Sequence, residues 1–344
     1  MSRVEFNCLP TMIGSLPHTD PSKACDLVWH YLKDIPAWPQ LPRRTFLENM
    51  YVQYSQGFPG VDLQDGKILV DRSKDIDKPL EQLYLAYLES NIDKYPITAD
   101  YAAGLHKFLT YTDLPVRAVK GQLVGPVTWG MTVTDNDGRA VAYDDVLADA
   151  VAKLLKLKAA WIERELRKVS PNTIIFIDEP YMSTFGSSFL ALSRETITSL
   201  LEEVLSGISG LKGIHCCGNT DWSLLLKTSI DILSFDAYNY AESLALYPGE
   251  LKPFLDRGGL IAWGIVPNNE DNLAKESVGS LQDRLGEAIA PFTRNGTGIS
   301  FRQMIKQSLL TPCCGLTPGL TEDSAALALE LLVNLSERMR LKYR

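Results

Sequence analysis

Two cysteine doublets hold the residue types best suited to chemistry. The first lies in "GIHCCGNTDW" (213–222), beside one of only four histidines, and the second in "TPCCGL" (311–316). His215 and Cys217 are two residues apart in a strand-like stretch, so period-two alternation sends both side chains to one face and Cys216 to the other. By the same rule, only one of Cys313 and Cys314 faces inward where that stretch is extended. One histidine and two thiolates from the ends of separate elements leave a fourth tetrahedral position open. That is the arrangement of a catalytic zinc, and soft sulfur ligands favour zinc over magnesium or calcium. The competing reading is two pairs of small buried cysteines with no metal, since free cysteine is commonly buried.

The rest of the chain must position these residues. At 344 residues it suits either two domains or one α/β barrel, which commonly exceeds about 250 residues as a single unit. Such a chain buries a large core without metal or disulfides, so a metal site here is chemical before it is structural. The net charge of −8 argues against nucleic acid or an anionic membrane as partner. The N-terminus "MSRVEFNCLPTMIGSLP" lacks the apolar core of a signal peptide, and no apolar run is long enough to span a membrane. A cytoplasmic location is therefore expected, where clustered cysteines read as ligands or reactive thiols before disulfides.

Short apolar strand candidates alternate with amphipathic helices, the mark of a parallel α/β fold. The strands are expected at 11–17, 116–125, 173–180, 211–218, 230–238, 259–267 and 308–316. The strongest helices are expected at 143–169, at 193–208 with Ser193 as N-cap, and after Gly319, from 321 to 344. Nearly every strand ends in a polar residue, Gly or Pro: Ser15, Gly125, Asp178, His215, Asp236, Pro267, Cys314. In a (β/α)8 TIM barrel those ends form the active-site mouth. The expectation is thus a single barrel over 1–344 with an irregular and helical excursion at 35–110, after the first strand. That excursion either hides another strand or covers the mouth. A doubly wound sheet is the alternative, but no glycine-rich phosphate loop is visible.

Five short motifs, "MIGSLPHTD" (12–20), "VKGQLVGPVT" (119–128), "FIDEP" (176–180), "IHCC" (214–217) and "CCGL" (313–316), occur in an order that resembles one family. It is the catalytic, C-terminal half of cobalamin-independent methionine synthase, within the barrel group that includes uroporphyrinogen decarboxylase and corrinoid-linked thiol methyltransferases. The resemblance implies a (β/α)8 barrel with Zn2+ held by His215, Cys217 and Cys314. A further carboxylate ligand of that family falls on Asp236, where the methionine synthase pattern has glutamate; Asp236 also reads as an ordinary polar strand end. The resemblance further implies that Ser15, with the backbone of Ile13 and Gly14, holds the carboxylate of homocysteine. Asp178 is associated with the amino group, and Glu48 in "LENMYVQY" matches a family glutamate if a gap is allowed. No residue beyond the zinc site is assigned a catalytic role, and Glu179 is assigned none at all.

The implied chemistry is methyl transfer to a thiol. A free alkyl thiol is largely protonated near neutral pH, and metal coordination removes that proton. Two departures bear on the donor. The sequence does not include the family's N-terminal half, which helps bind folate, and Val266 stands about where the family has a histidine that protonates departing folate. A methyl group on cobalt leaves without a proton, so the expected donor is methylcobalamin or a methyl-corrinoid protein. The alternatives are the same zinc chemistry with another thiol acceptor such as coenzyme M, a uroporphyrinogen decarboxylase-like enzyme without zinc, and a noncatalytic zinc-stabilised scaffold. His18 follows the first strand near Ser15, His30 reads as a helix position and His106 as a loop.

Overall fold

The computed structural model describes residues 6–64, 66–112, 115–187, 190–293, 297–317 and 319–343. Its centre is a curled sheet of seven parallel strands, in the order Leu9–Pro10, Ser308–Pro312, Leu260–Val266, Ile232–Phe235, Leu211–Cys216, Thr173–Asp178 and Val119–Val124. Six of these are buried along their whole length, and Leu211–Cys216 is buried from Gly213 onward. Burial on both faces is why they read as near-continuous apolar runs. Inside the curl one cluster takes Leu9, Ile35, Ala118, Ile174, Phe176, Ile232, Ala262 and Leu309 from the successive segments. A larger cluster lies between the outside of the sheet and the helices.

Six of the seven strands lie inside the expected ranges. The exception is the first: Leu9–Pro10 pairs with Leu309–Leu310, and within the expected stretch 11–17 strand-type pairing is limited to one bridge, Ser15 to Gln40. Gly14 is the reason, because its φ of +141° breaks regular strand geometry. The excursion does contain strand-like chain. Lys120 N–H donates to Pro36 O and Trp38 N–H to Lys120 O, while Gln40 N–H donates to Gly14 O and Leu16 N–H to Gln40 O. Residues 36–40 thereby touch the Val119–Val124 edge of the sheet and the chain that continues from the other edge strand, Leu9–Pro10. Farther on, Val61–Gln64 and Lys67–Val70 form an antiparallel pair that joins Thr134–Asp135 in a small separate sheet.

The helices follow local capping signals. Ser193 caps Arg194–Leu205 by accepting from Thr196 N–H, as expected, and Asp144 caps Asp145–Leu166 through Val146 and Leu147. Thr321 caps the last helix, Glu322–Lys342. His30 is helical, within Pro21–Tyr31. His106 is not in a loop: it lies in the short helix Ala103–Phe108, with Nε2 2.8 Å from Ile97 O. The short turn lacks the periodic apolar run that marks a helix in sequence. No helix among the described residues is long and apolar enough to cross a membrane.

Candidate active site

The register of three adjacent strands sets the first row of the site. Asp178 pairs with His215, and His215 pairs with Ser234, so their side chains stand side by side at the C-terminal strand ends. Gly213 lets this packing occur, because a Cβ there would sit 2.2 Å from the Phe176 ring. His215 is 2% exposed, and its Nδ1 lies 3.0 Å from Ser234 Oγ. Its Nε2 is buried with no hydrogen-bond partner, a costly state unless a ligand or ion meets it.

Cys217 lies just past the His215 strand, and Cys314 just past Ser308–Pro312. The chain turns closely there: a Cβ on Gly264 would be 2.8 Å from Cys313 Cα. His215, Cys217 and Cys314 present ligand atoms that all lie within 4.8 Å of one another. Ligand atoms around one tetrahedral zinc stand about 3.3–3.8 Å apart, given bonds of about 2.0–2.3 Å, so small rotations would close this set. Both doublets split, the first as alternation demands and the second in a bend just past its strand. Cys216 and Cys313 are buried away from the cluster, while Cys217 and Cys314 are partly open.

The thiols differ electrostatically as well. Burial pushes Cys8, Cys25, Cys216 and Cys313 up to about 12. Cys217 goes the other way, pulled down first by the Cys314 thiol, which donates to it, and then by His215. Cys314 is pushed well up by the same contact. The two sulfurs thus titrate as a pair that shares one proton.

Asp178 is 7% exposed with Oδ1 buried and unpartnered. Burial raises its carboxyl above the usual range, and His215 and Lys120 partly offset that. Ser15 adjoins the metal ligands: a Cβ on Gly315 would lie 2.0 Å from Ser15 Oγ, and Leu316 N–H donates to Ser15 O. Gly14 must be glycine, since a Cβ would fall 2.3 Å from the Gln122 amide and 2.7 Å from Gln40 Oε1. Neither Gly14 N–H nor Ser15 N–H finds an acceptor among the described residues. Ile13 O accepts from Lys120 Nζ.

The remaining expected residues are placed differently. Asp236 does not join the three-ligand cluster. Its Oδ1 accepts from Asn239 N–H at 2.9 Å and its Oδ2 from Asn239 Nδ2 at 2.7 Å, which caps the helix Ala237–Leu244. Glu48 is 1% exposed; Oε1 takes Arg44 at 2.8 Å and Oε2 is buried without a partner. Glu179 is fully occupied by Val127 N–H, Thr128 N–H and Thr128 Oγ1, so it anchors the helix Pro126–Thr132. Val266 ends its strand buried. His18 is 5% exposed, with Nε2 3.9 Å from Glu322 and Nδ1 unpartnered.

Sequence reading missed Ser234, Lys120, Gln122, Gln40 and Tyr54. Tyr54 OH donates to Gln122 O, and Gln40 Nε2 donates to Tyr54 OH and Gln53 Oε1. A signal existed: Lys120 and Gln122 alternate within an otherwise apolar strand buried on both faces. Polar residues at that spacing in such a strand point into the interior of the curl.

No protein-family model matches the sequence, and no curated protein matches it. Solved structures share its fold. A B12-independent methionine synthase from Shewanella sp. W3-18-1, in complex with selenomethionine, aligns with a TM-score of 0.59 at 17% identity, covering 97% of this chain and 98% of its own. A Listeria monocytogenes protein assigned as a vitamin-B12-independent methionine synthase gives 0.54 at 15% identity, over 92% and 84%. A methyltransferase from Methanosarcina mazei gives 0.55 at 14% identity, over 95% and 87%. The likeness is one of fold: a curled parallel sheet of the TIM-like barrel kind.

Proposed function

We propose that this protein is a zinc-dependent methyltransferase that methylates the thiol of homocysteine to give methionine, with a methyl-corrinoid as donor. The carrying observation is the convergence of His215, Cys217 and Cys314 beside Ser15 and Asp178. The donor set fits zinc. The buried His215 Nε2 has no partner, and the contact with Cys314 and His215 favours the thiolate form at Cys217. When bound, zinc would supply a Lewis acid that takes up the charge of an incoming thiolate while leaving its sulfur nucleophilic.

The chain's own residues would do the rest. Ser234 fixes the imidazole ring so that Nε2 faces the ligand side. The unpartnered Oδ1 of Asp178 suits the substrate ammonium, and Glu48 Oε2 offers a second acceptor. Ser15 Oγ and the open N–H groups of Gly14 and Ser15 suit the carboxylate. Asp236 would serve as a further ligand only by releasing Asn239. No histidine occurs in 261–271, which leaves that strand end without an acid for a folate leaving group and favours a methyl-cobalt donor, free or on a corrinoid protein. We take residues 1–344 as one cytoplasmic (β/α)8 unit, supported by the contacts of 36–40 with Lys120 on one edge strand and with Gly14 and Leu16 just past the other.

The test measures zinc content and methyl transfer for wild type and Cys314→Ser. Donors are methylcobalamin or methyltetrahydrofolate; acceptors are homocysteine or coenzyme M. The expected result is zinc-dependent methionine formation from methylcobalamin, lost in Cys314→Ser. Robust folate activity without corrinoid would overturn the donor assignment, preference for coenzyme M the acceptor, and activity without zinc the reading itself.

A further inference from the structure

Lys120 is a fully buried lysine with no carboxylate within ion-pair distance among the described residues. Its ammonium donates to Ile13 O at 3.1 Å and to Gln122 Oε1 at 3.0 Å, and it lies 4.2 Å from the centre of the Phe176 ring. Burying a charge this way does not serve stability, because apolar replacement of buried charges is commonly neutral or stabilising. Its geometric effect falls on the stretch before Ser15.

A trans peptide is planar, so a carbonyl and the following N–H point in opposite directions. With Ile13 O drawn to Lys120, Gly14 N–H is turned away from Lys120. The next peptide is pinned likewise: Gln40 N–H holds Gly14 O at 3.0 Å, which turns Ser15 N–H away from Gln40. Gln122 completes the clamp. Its Oε1 receives Lys120, its Nε2 donates to Trp38 O at 3.1 Å, and its amide packs against Gly14 so closely that no Cβ fits.

We propose that Lys120 is a positioning residue which, through the Ile13 carbonyl, presents the Gly14 and Ser15 N–H groups to the α-carboxylate of an amino-acid substrate. This rests on the amino-acid acceptor proposed above and adds the residue that shapes its carboxylate site. Lysine reaches Ile13 O from the facing strand, while Gln40 reaches Gly14 O from the 36–40 segment. Two separate parts of the fold therefore set two successive peptides.

The experiment is calorimetric binding of L-methionine, and of its decarboxylated analogue 3-(methylthio)propylamine, to the protein as purified. Zinc content and thermal unfolding are measured alongside. Lys120→Met is expected to fold, keep its zinc, weaken L-methionine at least tenfold and leave the amine within twofold. Lys120→Arg, which can still reach Ile13 O, should recover most of the loss. Equal weakening of both ligands, or unchanged L-methionine affinity, overturns the proposal. If Lys120→Met does not fold, Lys120→Gln is too short to reach Ile13 O and must show the same selective loss; full affinity there overturns it too. A wild type that binds L-methionine but does not methylate homocysteine refutes the proposed function and leaves the Lys120 assignment standing. A wild type that binds neither ligand overturns both.

Discussion

Replacing each cysteine of the two doublets with serine should divide the four variants into two classes. Cys217 and Cys314 belong to the convergent cluster with His215, whereas Cys216 and Cys313 are 0% and 1% exposed and point elsewhere. Partners outside the ligand shell are already worth about 10–100-fold in metal affinity, so losing a ligand should exceed about 100-fold. That is more than about 2.8 kcal/mol at about 1.4 kcal/mol per tenfold. The buried pair carries a different penalty. A serine at 216 can keep the donation to Gly218 O and one at 313 the donation to Asn268 Oδ1. Only imperfect burial of a hydroxyl remains, about 1–2 kcal/mol, which is a few degrees in Tm for a chain of this size. The assay is zinc content after dialysis against a chelator that buffers free zinc, with thermal unfolding on the same samples. Cys217→Ser and Cys314→Ser should be folded and empty; Cys216→Ser and Cys313→Ser should be loaded and slightly less stable. Equal zinc loss in all four would refute the alternation argument. Unfolding of Cys217→Ser on loss of zinc would favour a structural metal.

Ser234→Ala removes the partner of His215 Nδ1 and should weaken zinc binding about 10–100-fold, read by competition with a chelator; unchanged affinity would show the contact to be incidental. Asp178→Asn should raise the KM for homocysteine at least tenfold while zinc content holds, and a change in zinc content instead would make Asp178 part of the metal site. Asp236→Ala should cost about 1 kcal/mol through loss of the cap on Ala237–Leu244, seen by denaturant unfolding; a concurrent loss of zinc would make Asp236 a ligand. Burial raises Glu179 from 4.5 to about 7, so the folded protein binds this proton more tightly than the unfolded chain. Its contribution to stability is full below about pH 4.5 and lost as pH rises through about 7. Glu179→Gln should flatten that part of the stability profile between pH 4.5 and 7, and an unchanged slope would refute the assignment.

Alternation and capping are local rules, and what depends on them was legible in the amino-acid order. Six strands, the Ser193 cap and the division of the first doublet follow from side-chain direction over two residues or from one side-chain-to-backbone bond, whereas Cys313 and Cys314 sit in a bend past their strand. The segment 36–40 was not legible as part of the sheet. Pro36 and Pro39 have no N–H to donate, so the stretch reads as irregular chain. Its bonds run instead through Trp38 and Gln40 N–H and through Pro36 O, and those partners lie far away in sequence. Asp236 shows the converse: its residue type suits a ligand, and only the turn after it shows Asn239 taking both carboxylate oxygens. The sequence by itself determined which side chains face the strand ends, because that is decided within a few residues. Only the tertiary structure decided which of them meet. The approach of Cys314 to Cys217, of Gly315 to Ser15 and of Lys120 to Ile13 depends on how distant strands curl around a common interior.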